Sequence, residues 1–266
     1  MSLTVTVLGC GSSAGVPRVG QGWGACDPNN PKNRRRRCSL LVERSSGAGS
    51  TRVLVDTSPD LREQLLDARV PWLDAVLYTH DHADHTHGID DLRPLVLARG
   101  RRINTYMDET TQAIVINRFS YCFTAPTDSE YPPILEVLPI AAAAPLRIAG
   151  EGGELAATPF AQVHGGARSL GFRFGGLAYS CDVSDIPAES LEALQGLDVW
   201  ILDALRYRPH PSHFSVDDAL AWIERVRPKR AVLTNLHYDL DYETLRRALP
   251  AHVEPAYDGM QIVLER

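Results

Sequence analysis

A cluster of histidines and one aspartate follows an apolar run near the end of the first third of the chain. The apolar run covers residues 75–78, and His80, His82, Asp84 and His85 follow within a few positions. With 9 histidines among 266 residues, three histidines at this fixed spacing are expected by chance only about 0.01 times per chain. Imidazole and carboxylate groups are the usual ligands of Zn²⁺ and its first-row neighbours. The segment therefore predicts a metal site at the end of a buried β-strand.

Three further candidate ligands lie in the later part of the sequence, each after an apolar run. They are His164, Asp182 and His237. Taken one at a time, each has a structural explanation, since a single histidine often only makes hydrogen bonds and an aspartate after a strand often stabilises a turn. Taken together with the first cluster, they supply the additional ligands that a complete metal site requires. We therefore predict that these strand ends converge in the folded protein.

The composition is that of an ordinary globular enzyme. Hydrophobic residues make up 44% and charged residues 23% of the chain, and no apolar run approaches the roughly 20 residues of a membrane span. The formal net charge of −6 argues against a general nucleic-acid-binding protein. The five cysteines show no disulfide-like spacing, which favours a reducing compartment. The N-terminus shows no export signal, so we predict a cytoplasmic protein. We also predict no membrane partner, and no nucleic-acid partner beyond nucleotides.

The pattern of apolar residues divides the chain into two β-rich halves with helices outside them. Strands are predicted at residues 5–8, 39–43, 52–55, 75–78, 134–138, 154–160, 169–174, 177–180, 199–202, 231–234 and 260–264. Helices are predicted at residues 59–68, 92–98, 109–119, 188–195, 216–226 and 242–249. A flexible hairpin connection is predicted at residues 45–50, and connecting loops are predicted at residues 119–133 and 141–145. This order suits two sheets packed face to face and covered by helices, within a single domain of residues 1–266.

The ordered motifs resemble the metallo-β-lactamase superfamily across residues 5–264. The glycine- and serine-rich residues 8–17 and the ending at residues 256–260 are similar to those of its phosphoribosyl 1,2-cyclic phosphate phosphodiesterase branch. The tRNase Z nucleases are more distantly similar. The resemblance implies an α+β fold, the αββα sandwich in which two mixed β-sheets are flanked by helices. It also implies that Asp56, after the apolar residues 53–55, orients a ligand histidine without binding metal.

The resemblance further implies two divalent transition-metal ions, Zn²⁺ or Mn²⁺, held by seven side chains. The implied ligands are His80, His82 and His164 for one ion, Asp84, His85 and His237 for the other, and Asp182 between them. A site of this composition also accepts Fe²⁺, depending on supply.

Two positions depart from the pattern of the related phosphodiesterases. Their last motif has a histidine directly after Leu-Thr, where this chain has Asn235 and places its nearest histidine at position 237. We assign the last ligand to His237 because an amide is a poor ligand for these ions; Asn235 is the alternative. Some relatives carry a cysteine-rich structural zinc site near the N-terminus. Residues 22–26 of this chain keep the single Cys26, and we predict no structural zinc.

A pair of metal ions about 3.5–4 Å apart can share a hydroxide and clamp the oxygens of a phosphodiester during displacement. We therefore predict a phosphodiesterase that acts on a small cyclic phosphate or a nucleotide-like diester, with Asp84, Asp182 and His213 as catalytic residues. His213 precedes a predicted helix and matches a histidine of the family that contacts the phosphate or assists the leaving group. The predicted substrate-binding residues are Ser12, Ser13, Arg37 and His213.

Two other functions stay open on the sequence alone. The same site can hydrolyse a thioester or a lactone, because a bridging hydroxide also attacks carbonyl carbon. A non-catalytic metal-binding or regulatory protein is the other alternative, although such a chain would be free to lose ligands. Homodimers are frequent among similar proteins, and the apolar and aromatic residues 119–123 are a candidate contact between copies.

Overall fold

Two seven-stranded sheets form the centre of the computed structural model, which describes residues 2–140 and 144–265. Most of the loop predicted at residues 141–145 therefore lies outside the described residues. The first sheet contains β1 (Ser2–Gly9), β2 (Ser39–Ser46), β3 (Gly49–Val55), β4 (Ala75–Leu77), β5 (Ile103–Met107), β6 (Leu135–Pro139) and β14 (Gln261–Glu265). The second contains β7 (Leu146–Ile148), β8 (Leu155–His164), β9 (Ala167–Phe174), β10 (Leu177–Ser180), β11 (Val199–Asp203), β12 (Arg230–Thr234) and β13 (Val253–Pro255).

Both sheets are mixed, and both follow the same plan. The strand order of the first is β14-β1-β2-β3-β4-β5-β6, antiparallel from β14 to β3 and parallel from β3 to β6. The second has the order β13-β12-β11-β10-β9-β8-β7, parallel from β13 to β10 and antiparallel from there to β7. In parallel sheets of this kind, functional side chains gather beyond the carboxyl ends of the strands.

The central strands are apolar on both faces because both faces are covered. On β3, Val53 and Val55 belong to the core between the two sheets, whereas Leu54 belongs to the core beneath the outer helices. The second sheet shows the same alternation, with Ile201 in the shared core and Trp200 beneath its own helices. The layers are thus helix, sheet, sheet and helix, and the predicted αββα sandwich is confirmed.

The helices cover the outer face of each sheet. They are α1 (Leu61–Asp67), α2 (Ala83–Thr86), α3 (Arg93–Arg99), α4 (Glu109–Arg118), α5 (Ser120–Phe123), α6 (Val216–Val226) and α7 (Tyr242–Ala248). Three 3₁₀ segments occur at Pro31–Asn33, Ile89–Leu92 and Ala188–Leu194. Helix α6 begins where the sequence predicts, because the Ser215 side chain and Asp218 form a capping box at its first turn. In the described part of the chain, none of the helices combines the length and apolar character that crossing a bilayer requires.

Local predictions agree with the structure in one case and differ from it in others. The hairpin connection predicted at residues 45–50 is present, since β2 and β3 stay paired as far as Ser46 and Gly49. The Ser45 and Ser50 hydroxyl oxygens lie 3.0 Å apart across it. The helix predicted at residues 188–195 is a 3₁₀ segment. Residues 103–107, 146–148 and 253–255 form strands that the sequence pattern did not predict, because short strands are defined by their neighbours in a sheet more than by their own composition.

Candidate metal centre

The candidate site lies where strand ends of the two sheets meet. Asp56 follows β3, Asp182 lies just beyond β10 and Asn235 follows β12, with φ angles of 63°, 53° and 61°. Aspartate and asparagine adopt this left-handed conformation more readily than other residues with a side chain. Left-handed backbone outside glycine is uncommon and tends to occur at functional sites. The left-handed turns at Asp56, Asp182 and Asn235 therefore coincide with the candidate site.

Four side chains place potential ligand atoms within 4.8 Å of one another, and they are His80, His82, His164 and Asp182. The Asp182 Oδ2 atom lies 3.6 Å from Nε2 of His80 and 3.6 Å from Nε2 of His164. The His164 Nε2 atom lies 3.4 Å from His82 Nδ1. Three imidazoles and a carboxylate around one point form a donor set that suits a Zn²⁺-like ion.

The other oxygen of Asp182 faces a second group of side chains. Its Oδ1 atom lies 3.4 Å from His85 Nε2, and that nitrogen lies 3.5 Å from Asp84 Oδ2. The Asn235 amide nitrogen donates a hydrogen bond to Asp182 Oδ1 at 3.0 Å. The Asp182 carboxylate therefore stands between two groups of candidate ligands, one at each oxygen.

The hydrogen bonds of the histidines test whether this centre suits a metal ion. Asp56 Oδ2 accepts a hydrogen bond from His85 Nδ1 at 2.7 Å and one from the Thr79 hydroxyl at 2.8 Å. Because that hydroxyl donates to Asp56, it accepts from His80 Nδ1 at 2.9 Å. The Nε2 atoms of His80 and His85 are buried and have no hydrogen-bond partner among the described residues. Burying such atoms unpaired is unfavourable, and a cation would satisfy both, so these residues fit a metal ion.

His164 is held in the same manner. Its Nδ1 atom donates a hydrogen bond to the Ser212 carbonyl oxygen at 2.7 Å, so its Nε2 atom faces Asp182. A ring nitrogen that donates to a fixed acceptor determines which nitrogen is left to bind a metal.

Burial and charge shift the pKa values in the directions that favour cation binding at His80, His164 and Asp182. Burial lowers the pKa of His80 well below its usual value and also lowers the pKa of His164. Burial opposes the charged form of Asp182, but the facing imidazole of His85 outweighs it and lowers the pKa of that carboxyl. Burial also opposes charge on His85, yet Asp182 and Asp84 raise its pKa well above the usual value. A metal ion therefore competes with a proton chiefly at His85.

Asp203 and His213 form a buried pair beside this centre. Asp203, the last residue of β11, is fully buried and its Oδ2 atom lies 2.8 Å from His213 Nδ1. Burial raises the pKa of Asp203 to about 6 against the opposing effect of His213. Burial lowers the pKa of His213, but the hydrogen bond to Asp203 outweighs this and raises it. Asp203 is not among the residues predicted from the sequence, although its place at the end of an apolar strand is the same signal that identified Asp182.

The structure does not bring His237 into either group of candidate ligands within the described residues. Its Nδ1 atom lies 3.0 Å from Asp239 Oδ1, and its backbone N–H donates to Leu205 at 2.9 Å. Strand β12 ends at Thr234, and the left-handed turn at Asn235 gives the inner position to the amide. The assignment of the last ligand to His237 is therefore not supported, because Asn235 rather than His237 lies beside Asp182.

A cavity of about 300 Å³ opens onto the centre. Its lining residues are Ser12, Ser13, Arg18, His82, Asp84, His164, Asp182, Leu205, Arg206, His210, Ser212, His213, Asn235 and His237. Ser12, Ser13 and His213, which the sequence predicts to bind substrate, are among these lining residues. Arg37 does not line this cavity, because its Nε atom lies 3.0 Å from Asp60 and its backbone N–H also donates to that carboxylate.

Two arginines that the sequence analysis overlooked take the place of Arg37 at the cavity. The Arg18 guanidinium lies over the Tyr238 ring at 4.6 Å and 3.5 Å from the Ser12 hydroxyl. Arg206 donates to backbone carbonyls of its own loop, at Arg208 and Pro209. Neither guanidinium forms an ion pair with a carboxylate in the described part of the chain. The cavity therefore has positive charge opposite a cluster of metal-ligand side chains.

Sandwiched mixed sheets with a centre of histidines and aspartates at the strand ends define a class of metal-binding hydrolases. A family model described as the beta-lactamase superfamily domain matches residues 51–238. The chain belongs to the metallo-β-lactamase superfamily, and the resemblance inferred from its motifs is confirmed.

Similar proteins include two of known structure. A diphosphatase from the PhnP family is 37% identical, with a TM-score of 0.89 over 99% of this chain and 98% of that one. The Zn²⁺-bound PqqB from Methylobacterium extorquens is 19% identical, with a TM-score of 0.78 over 97% of this chain and 99% of that one. At that identity the second comparison shows the shared fold alone.

A curated relative from Porphyromonas gingivalis is named octanoyltransferase. It is 34% identical over an aligned length of 264 positions, and the alignment covers 97% of this chain and 51% of the relative. The chain thus spans about half the length of that protein.

We predict that Asp56→Asn weakens metal binding without unfolding the protein. An amide cannot accept the hydrogen bonds of both Thr79 and His85 as the carboxylate does. His85, and His80 through Thr79, therefore lose their orientation. Loss of such an orienting partner typically lowers metal affinity about 10–100-fold. Competition with a chromophoric chelator measures the change, and Asp90→Asn, which alters only a surface pair with Arg93, serves as the matched control. An unchanged affinity in folded Asp56→Asn protein would contradict this role.

Proposed function

We propose that this protein is a metal-dependent phosphodiesterase that hydrolyses a small cyclic phosphate or a nucleotide-like diester. The observation that carries the proposal is the Asp182 carboxylate between two groups of imidazole and carboxylate side chains, in the lining of a cavity whose Arg18 and Arg206 form no ion pair among the described residues. The residues proposed to hold metal are His80, His82, His164 and Asp182 on one side, and Asp84, His85 and Asp182 on the other. Divalent ions such as Zn²⁺ or Mn²⁺ supply Lewis acidity for activating water and for neutralising charge on phosphate oxygens.

The remaining cavity residues suit a phosphorylated substrate. Arg18 and Arg206 present positive charge, and the Ser12 and Ser13 side chains add hydroxyl groups. Guanidinium groups bind phosphate oxygens strongly because they donate paired hydrogen bonds. The similarity to a diphosphatase over nearly the whole chain agrees with a substrate that carries more than one phosphoryl group.

His213 is the proposed proton donor to the leaving group. Its Nδ1 atom donates to Asp203, which leaves Nε2 for the substrate side of the cavity. Asp203 also accepts from the Val183 backbone N–H at 3.0 Å and from the Asn235 amide at 3.1 Å. These bonds hold the carboxylate in place, so Asp203 is a positioning residue for His213. A histidine with a raised pKa is suited to give a proton to a leaving oxygen.

Hydrolysis of an octanoyl thioester is the second candidate function. It is favoured by the similarity to half of a protein named octanoyltransferase, and a metal centre that activates water can also attack a thioester carbonyl. The octanoyl chain itself has no group for Arg18 or Arg206, so these arginines could contact only a phosphorylated carrier of such a thioester.

Comparison of substrate classes tests the proposal directly. We expect protein loaded with Mn²⁺ or Zn²⁺ to hydrolyse bis(p-nitrophenyl) phosphate and a nucleoside 2′,3′-cyclic phosphate, and not octanoyl-coenzyme A or a lactone. Asp182→Ala should lose more than about 10³-fold in kcat/KM, because it removes the shared ligand, whereas the exposed Asp185→Asn should match the unaltered chain. Full activity of metal-stripped protein would overturn the proposal, and thioester hydrolysis alone would favour the second candidate.

The Asp203–His213 pair predicts a loss that depends on the leaving group. We expect Asp203→Asn and His213→Gln to lower kcat about 10²-fold for a cyclic nucleotide, whose alkoxide leaving group needs a proton. For bis(p-nitrophenyl) phosphate the loss should be small, since p-nitrophenolate leaves without one. Steady-state kinetics on both substrates, with metal content measured for each variant, provide the test. Equal losses on both substrates would assign Asp203 a merely structural role.

Arg206 predicts a loss that appears in substrate binding. We expect Arg206→Met to raise KM about tenfold for a diester that carries a further phosphate, with kcat nearly unchanged, because one charged hydrogen bond is lost. Arg208→Met is the matched control, since Arg208 is exposed and does not line the cavity. The same KM for both variants would exclude Arg206 from substrate recognition.

A further inference from the structure

We propose that the two metal positions of this centre are unequal, and that the position beside His85 holds its ion weakly because Asn235 occupies the place of a fourth ligand. The inference rests on the metal dependence proposed above, and it concerns binding of the ions rather than the substrate.

The first position has a full set of protein ligands. His80, His82 and His164 contribute three imidazole nitrogens, and Asp182 contributes its Oδ2 atom, all within 4.8 Å of one another. Three of these side chains are at most 3% exposed. Four protein ligands are typical of sites that retain their metal, whereas sites with fewer leave a position open.

The second position has only three. His85 Nε2 and Asp84 Oδ2 face each other at 3.5 Å, and Asp182 contributes its Oδ1 atom at 3.4 Å from His85. The Cys181 thiol is also near, but it donates to Asp182 Oδ1 at 3.2 Å and so uses the same oxygen. Among the described residues, His213 also comes within 4.8 Å of Asp182, but it does so together with Asp203, and no further histidine is grouped with His85.

The orientation of the Asn235 amide excludes it as a ligand. Its Nδ2 atom donates to Asp182 Oδ1 at 3.0 Å and to Asp203 Oδ1 at 3.1 Å. Rotating the amide by half a turn would place its oxygen against both carboxylate oxygens, which is electrostatically unfavourable. An amide N–H₂ group has no lone pair to offer a cation, and its hydrogen bond also competes for the Asp182 oxygen that the second ion needs.

Neighbouring histidines do not compensate for the amide. His237 is turned toward Asp239, and the Nδ1 atom of His213 is engaged by Asp203. The second ion is therefore expected to exchange with solvent and to depend on the free metal concentration. Because even a lost orienting partner lowers affinity about 10–100-fold, we expect the two positions to differ by about 10²-fold or more.

Metal binding to the full-length protein tests this inequality without any substrate. We expect protein loaded with Mn²⁺ and then desalted to retain about one ion per chain by elemental analysis, and equilibrium dialysis to resolve two dissociation constants at least about 10²-fold apart. Asn235→His should retain about two ions, because histidine tolerates the left-handed backbone at this position and supplies the fourth nitrogen. Asn117→His adds a histidine to the exposed side of α4 and should retain the same number as the unaltered chain.

A second variant keeps the test decisive. If Asn235→His does not fold by circular dichroism, Asn235→Asp supplies a carboxylate with little change in volume and should also retain about two ions. Two equally tight ions in the unaltered chain would overturn the inference and leave the proposed activity standing. Absence of bound metal in every folded variant would overturn both, and one retained ion in folded Asn235→His would overturn the inference alone.

Discussion

The buried carboxylate of Asp56 is the constraint on which the rest of the centre depends. It accepts the Thr79 backbone N–H, the Thr79 hydroxyl and His85 Nδ1, each at 2.7–2.8 Å. Through Thr79 it also determines which nitrogen of His80 is free. One side chain directly after β3 therefore orients an imidazole on each side of Asp182. Burial raises the pKa of Asp56, and the facing His85 and Thr79 act in the opposite direction.

The centre is costly to bury as it stands. The ligand-side nitrogens of His80 and His85 have no partner among the described residues, and the pKa of His80 lies far below its usual value because burial opposes its charge. A group that binds only the folded chain stabilises it by mass action. A metal ion bound at this centre would therefore stabilise the folded chain, and the hydrogen bonds behind the histidines orient the donor atoms for it.

The sequence was sufficient for the layers of the fold and for most of the centre, since apolar runs that end in ligand-type residues identified His80, His164 and Asp182. It was insufficient where the outcome depends on a single residue of register. Whether position 235 or 237 faces Asp182 is decided by a left-handed turn at the end of β12, which has no apolar signature. Likewise, the choice of Arg206 over Arg37 depends on the paths of two loops and on the pairing of Arg37 with Asp60.

The matching plans of the two sheets have a mechanical consequence. The parallel strands of both halves of the chain end at the candidate metal centre. The first half contributes Asp84 and His85, and the second contributes His164 and Asp182. An ion coordinated by residues of both halves would link the two sheets to one another through metal–ligand bonds and oppose their separation. The free energy needed to separate the sheets would then depend on the concentration of free metal ions.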